Sequence, residues 1–337
     1  LDRYRESLPD ALRTGIPDVA QGLYTMLRYH MGWCDEEGKP LARPAPQGKA
    51  LRPTLCMFAC EALGGDWRQA LPAAIALEYI HNFSLIHDDI QDGDKERRHR
   101  PTLWYLWGRG KALVAGNTLR TLADSILLSL PGTGVPLERA LQASRILTER
   151  YLQMIEGQYL DLSYEKTLDI TVQDYLEMVS RKTGALIQCS LEVGALIATG
   201  DDATVQAFAD CGMLLGIAFQ ARDDVLGIWG DEANTGKMTG NDIWRKKKSL
   251  PVVFALEHAQ GAAREALLSV YRKESLEKED VERVMGILEE VKAQQYAQDL
   301  ALENAAAALH GLDGVSMASW ARRELTELAN FVVQRQS

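Results

Sequence analysis

Long helix-forming stretches recur along the whole chain with almost nothing of strand character between them, and this restricts the fold more than any other feature. Residues 137–160, 173–198, 203–228 and 278–309 are rich in Ala, Leu, Glu, Gln and Arg, which lose little on entering a helix. Alternation of β-branched residues is scarce and no GxGxxG follows a plausible strand, so a nucleotide-binding α/β fold is not expected. Breakers fall between the helices: Pro40 to Pro53, PGTGVP at 131–136, Gly200-Asp201-Asp202, and Gly230 to Gly240. Asp201-Asp202 before ATVQAF has the character of an N-cap. No breaker has the length of a domain linker and no tandem repeat is visible. The expectation is an all-α protein, with residues 1–337 forming one large helical bundle domain.

Composition narrows the function classes. Of 337 residues 46% are hydrophobic and 25% charged, the balance of a soluble globular protein with a large core. No run of about 18 uncharged apolar residues occurs, so no membrane span is expected. The polar start LDRYRESLPDALRTGIPDV lacks an apolar signal-peptide core. Cys34, Cys56, Cys60, Cys189 and Cys211 make no CxxC pair, and reduced thiols in a cytoplasmic protein are expected. The net charge of −10 argues against nucleic acid as a partner. A polyanionic small substrate stays compatible with it, because positive charge is concentrated locally.

The most informative segment is LEYIHNFSLIHDDIQDGDKERRHRP, residues 77–101. Asp88, Asp89 and Asp92 lie at i, i+1 and i+4 of an otherwise apolar helix, so Asp88 and Asp92 share a face one turn apart. Stacked carboxylates repel unless a divalent cation bridges them, and oxygen ligands with open positions suit Mg²⁺ on substrate phosphates. A solvated helix end could carry the same pair. A second instance weighs against that: in GIAFQARDDVLGIWGDEANTGK, residues 216–237, Asp223 and Asp224 again close an apolar helical run, with Gln220 one turn earlier. Two such helices could face each other across a bundle and hold cations between them.

Concentrated positive charge follows each motif. Lys95, Arg97, Arg98 and Arg100 come after the first, and Lys237 and then Arg245 to Lys248 after the second. Lys49 and Arg52 in GKALRP and Lys182 in RKTGAL add basic groups beside glycine. Arg forks and Lys point charges are what a diphosphate needs. A run such as Lys246-Lys247-Lys248 is also found on solvated surfaces.

GKALRP, HNFSLIHDDIQD with RRHRPT, GQYLDL, KTGAL, FQARDDVLGIWGD, TGK and DIWRKKKSLP, spanning residues 48–251, occur in the order of the trans-isoprenyl diphosphate synthases, the polyprenyl synthetase family, which the chain resembles. The resemblance implies an all-α bundle around a deep central cavity, a homodimer, and Mg²⁺, three ions when substrate is bound. It implies the condensation of isopentenyl diphosphate with an allylic diphosphate. Asp88 and Asp92 match the carboxylates that hold Mg²⁺ on the allylic diphosphate, with Asp89 supporting them. Asp223 matches the metal ligand of the second motif, with Asp224 and Asp242 behind it. Arg97, Lys182, Lys237 and Lys247 match groups gripping the allylic diphosphate, and Lys49, Arg52, His81 and Arg98 those holding isopentenyl diphosphate. Gln220 resembles the glutamine near the reacting centre, and Thr183 the hydroxyl beside it. The catalytic set is then Asp88, Asp92, Asp223, Lys182, Lys237 and Gln220.

Three positions depart from the family pattern. Gly227 replaces the last aspartate of DDxxD, Asn117 stands where an aspartate is common, and His99 takes the glycine position of RRGxP. The product implied is geranylgeranyl diphosphate, since the first motif has no insertion and only Phe83, not Ser84, is aromatic ahead of it. A farnesyl or longer-chain synthase is the alternative. A class I terpene cyclase fits less well: its second metal motif would need Ser or Thr where Arg245 stands. A non-catalytic modulatory subunit would be expected to lose an aspartate motif, and this chain keeps both.

Overall fold

The computed structural model describes residues 2–4, 6–19, 22–42, 45, 48, 50–165, 167–230 and 239–335. Of the expected site residues, Lys49 and Lys237 lie outside them. The architecture is all-α. Among the described residues the one sheet is a hairpin of β1 (Glu96–Arg97) and β2 (Arg100–Pro101). The first helices are α1 (Leu8–Thr14), α2 (Gly22–His30), α3 (Leu51–Ala62), α4 (Leu71–Asp92), α5 (Leu103–Trp107), α6 (Arg109–Leu127) and α7 (Leu137–Tyr164). Then follow α8 (Val172–Val179), α9 (Ala185–Ala198), α10 (Asp202–Trp229), α11 (Asn241–Trp244) and α12 (Leu250–His258). The last are α13 (Gly261–Arg272), α14 (Lys278–Glu290), α15 (Ala293–His310) and α16 (Ser319–Gln334). The chain forms two compact units, each drawn from two stretches: Leu1–Thr148 with Cys189–Gln206, and Glu149–Gln188 with Ala207–Ser337.

The first unit is built around α4. Pro72 opens this helix and Gly93, at φ 71°, closes it in the left-handed conformation with its N–H on the Asp89 carbonyl. Every residue from Pro72 to Ile80 is buried, as in a helix surrounded by others. α3 and α6 pack on it, and α5 and α2 pack on α6. Apart from the buried Glu78, the acids of α4 come only in its last two turns, at the end of a largely apolar rod.

In the second unit, the Thr171 hydroxyl and Asp174 carboxylate cap α8 reciprocally. Within the first unit's second stretch, Asp201 accepts from the Thr204 N–H at 2.9 Å, the N-cap expected for α10. One core of the second unit gathers Ile228, Val252, Leu267, Val284 and Leu288, and another Tyr175, Met178, Val225, Leu250 and Val253. Two expected helices differ in detail. The stretch 278–309 breaks between α14 and α15, where Lys292 takes φ 57°. Between α8 and α9, Ser180–Gly184 widens into a π turn that carries Arg181, Lys182 and Thr183.

Candidate active site

In the last two turns of α4, Asp89 is buried, Asp88 half-buried and Asp92 exposed. The carbonyl end of a helix is its negative pole, so carboxylates gathered there deepen a potential that attracts cations. Asp89 turns inward and accepts from Arg97 Nε at 2.7 Å. Burial pushes its carboxyl up to about 6, against the pull of Arg97.

The hairpin after α4 turns through Arg98 and His99, at φ 53° and 60°, with Arg97 paired to Arg100. A two-residue loop with both φ positive is the hairpin turn that suits twisted strands, here made without glycine. Arg100 stacks 3.9 Å over the Tyr29 ring and donates to the Tyr29 and Cys34 carbonyls at 2.9 and 2.8 Å, so it anchors the hairpin. Arg98 lies over Gly48, where a Cβ would stand 2.7 Å from its Nη2. GKALRP and RRHRP therefore meet at this guanidinium. His30, Asp89, Arg97, Arg98 and Arg100 line one small cleft.

Behind it lies a group that the sequence only partly disclosed. Asn82 Nδ2 donates to the Glu78 carbonyl at 2.8 Å and to Glu78 Oε1 at 2.9 Å. Burial raises the Glu78 carboxyl while Arg52 opposes the rise; burial likewise lowers Arg52 while Glu78 opposes. Burial, then Arg52, Arg98, Arg97 and His30, hold His81 neutral, well below its ordinary range. His30 is pulled down to about 3 by burial and by Arg97 and Arg98. A neutral imidazole offers an N–H to an anion without adding to the repulsion among arginines. Glu78, Asn82 and His30 had no assigned role in the sequence. The only signal was an acid inside the apolar run LEYIHNF.

In the second unit Lys182 pairs with Asp161. Thr183 Oγ1 donates to Gln220 Oε1 at 2.9 Å, and Gln220 Nε2 to Asp224 Oδ1 at 2.9 Å. Asp224 also accepts from the Tyr175 hydroxyl and, at 2.7 Å, from the Leu250 N–H. Lys247 stands 3.5 Å from Asp224 and 3.6 Å from Asp242. Burial alone would lower Lys247, but Asp224, Asp242 and Asp223 outweigh it and keep it protonated. Asp224 is thus a buried junction with its oxygens engaged. Its neighbour Asp223 is half-buried and accepts from Arg335 Nη2 at 3.0 Å. Asp161, Tyr175 and Arg335 were not singled out in the sequence, although GQYLDL contains the first of them.

Among the described residues no three His, Cys, Asp or Glu side chains converge into a closed metal cage. Mg²⁺ does not need one, because it keeps waters and binds through one or two carboxylates together with substrate phosphates. Asp88 and Asp92, hard oxygen donors one turn apart at the negative end of α4, fit such an ion.

The model of the polyprenyl synthetase family matches residues 38–288. A geranylgeranyl diphosphate synthase of Mycobacterium tuberculosis is 39% identical over 93% of this chain and 87% of its own. Other similar proteins are named for farnesyl and geranylfarnesyl diphosphate. The crystal structure of a polyprenyl synthetase from Streptomyces coelicolor superposes with a TM-score of 0.90 at 38% identity, covering 98% of both chains. A geranylgeranyl pyrophosphate synthase from Corynebacterium glutamicum, complexed with isoprenyl diphosphate and magnesium, does so with 0.84 at 26% identity, covering 99% of both.

Proposed function

The chain belongs to the polyprenyl synthetase family and is a trans-isoprenyl diphosphate synthase, and we propose that it makes geranylgeranyl diphosphate with Mg²⁺, three ions when substrate is bound. The observation that carries this is the end of α4, where Asp88 and Asp92 crown the helix whose preceding turn presents Phe83 and Ser84.

When bound, magnesium neutralises charge on the departing allylic diphosphate. In the first unit Asp88 and Asp92 would hold the metal and Arg97 binds diphosphate oxygens; in the second unit Asp223 would be a metal ligand, and Lys182, Lys237 and Lys247 bind diphosphate oxygens. Lys49, Arg52 and Arg98 hold the diphosphate of isopentenyl diphosphate, to which neutral His81 donates an N–H. The allylic C–O bond breaks, the alkene of isopentenyl diphosphate attacks the resulting cation, and the released diphosphate takes the proton. Thr183, which donates to Gln220, and Gln220, which donates to Asp224, line the reacting centre as dipoles of fixed direction. No protein nucleophile is required.

The tail grows from the anchored diphosphate back along α4. Ser84 lies about 6 Å and Phe83 about 7.5 Å along the axis from Asp88. Phe83 is buried, and its ring meets His87 with centroids 4.4 Å apart. That aromatic pair supports a limit near twenty carbons.

The family match takes in stretches of both units, which supports one catalytic domain over residues 1–337. Exposed Leu113 and Val114 on α6, and Leu137 and Leu141 on α7, support a homodimer. The five cysteines are free and buried, which suits a cytoplasmic protein. The test is product analysis with Mg²⁺, isopentenyl diphosphate and each short allylic diphosphate. A twenty-carbon product is expected from wild type, and turnover at least a hundredfold lower from folded Asp88→Ala, roughly the loss of one transition-state charge contact. A fifteen-carbon end product would overturn the chain-length reading, and an active Asp88→Ala the metal site.

A further inference from the structure

Arg335 is tied to the second aspartate motif by four hydrogen bonds. Its Nη2 donates to Asp223 Oδ1 at 3.0 Å and to the Phe219 carbonyl at 3.2 Å. Its own carbonyl accepts from Arg222 Nε at 3.0 Å and Nη2 at 2.7 Å. The guanidinium lies 4.0 Å over the Phe219 ring, and only 7% of its side chain is exposed, against 44% for Asp223. A residue 112 positions away thus places a fixed positive charge on one carboxylate of the motif.

On the reading above, Asp223 is a metal ligand. A carboxylate that accepts a charge-assisted bond from guanidinium is a weaker donor to a second cation. A dication on the same carboxylate would also stand a few ångströms from the guanidinium and be repelled by it. Metal alone therefore competes with Arg335. Metal accompanied by diphosphate does not, because the anion offers the guanidinium new acceptors and cancels the repulsion.

We propose that Arg335 is an internal counter-ion for Asp223: it occupies the carboxylate until a diphosphate arrives, and so makes metal loading there depend on substrate. A merely orienting partner, of the kind that steadies metal ligands from behind, predicts the opposite, since its loss weakens metal binding by about 10–100-fold.

The experiment is Mn²⁺ binding to the full chain by electron paramagnetic resonance, with and without inorganic pyrophosphate. Arg335→Gln is expected to bind Mn²⁺ about tenfold more tightly than wild type without pyrophosphate, the factor of one charge-assisted hydrogen bond. The gain should shrink to within about twofold when pyrophosphate is present, since the anion then answers the guanidinium charge. Arg335→Lys keeps the charge and should resemble wild type. Unchanged or weaker Mn²⁺ binding in Arg335→Gln overturns the proposal, as does an equal gain in Arg335→Lys. Asp223→Asn separates the two readings. If, with pyrophosphate present, it binds Mn²⁺ like wild type, Asp223 is not a ligand and both fall; if it then loses Mn²⁺ while Arg335→Gln gains none without pyrophosphate, only the counter-ion falls.

Discussion

Gly227 yields its side-chain space to Asp242: a Cβ added at 227 would stand 2.6 Å from Asp242 Cγ. In the DDVLG motif this is the position at which the family carries its last aspartate. Here a carboxylate from α11 fills that volume and faces Lys247 at 3.6 Å. The departure in sequence is thus matched by an acid arriving from elsewhere in the chain.

Restoring the motif should therefore harm the protein. Gly227→Asp would overpack the site and set two acids against each other, and a loss of about 1–3 kcal/mol in urea unfolding is expected. Gly227→Asp combined with Asp242→Ala should recover at least half of it. A fully stable single variant would show that the two positions do not exclude one another.

Product length should follow the α4 wall. Phe83→Ala should extend products beyond twenty carbons, and Ser84→Phe should shorten them to fifteen. On α6, a Cβ at Gly116 would stand 2.6 Å from His87 Cδ2 and 3.5 Å from Phe83 Cδ2, so the ring pair has little room to retreat. Chromatography of dephosphorylated products decides this, and unchanged products from both active variants would remove these residues from the control of length.

The basic groups should separate by substrate. Arg52→Ala should raise the KM for isopentenyl diphosphate more than for the allylic partner, and Lys182→Ala the reverse. Each change removes a charge-assisted contact of about 1.5–3 kcal/mol. Equal effects on both substrates in steady-state kinetics would show that the assignment is wrong.

Stability should fall with pH on the acid side. The His30 value drops on folding from 6.5 to about 3, and His81 shifts the same way. Below 6.5 the unfolded chain takes up protons that the folded chain refuses, so their contribution is complete above 6.5 and is lost as pH falls towards 3. Each histidine adds up to about 1.4 kcal/mol per pH unit in that window. Asp89, raised from 3.8 to about 6, acts in the opposite sense between those values, its contribution fading as pH rises. Urea unfolding at about pH 7, 6 and 5 should give a flatter profile for His30→Gln than for wild type; an identical profile would contradict a neutral His30.

The helical class and the reaction class were legible in the sequence, because they rest on local regularities and on motifs read in order. Helix propensity acts residue by residue, and the i, i+4 spacing of Asp88 and Asp92 already sets them apart from Asp89. Partnership across the chain was not legible. Only the packed core decided that Asp224 joins Tyr175, Gln220 and Leu250, that Lys247 stands between Asp224 and Asp242, and that Asp242 fills the place left by Gly227. The break at Lys292 and the π turn at Lys182 likewise interrupt stretches whose composition favours continuous helix. Arg335 is the clearest case: no periodicity links it to Asp223, 112 residues away, and the bond exists because the chain following α16 packs against α10. Short-range energetics write the helices and the charged motifs into the sequence, whereas a buried charge finds its counter-ion only once distant segments share one core.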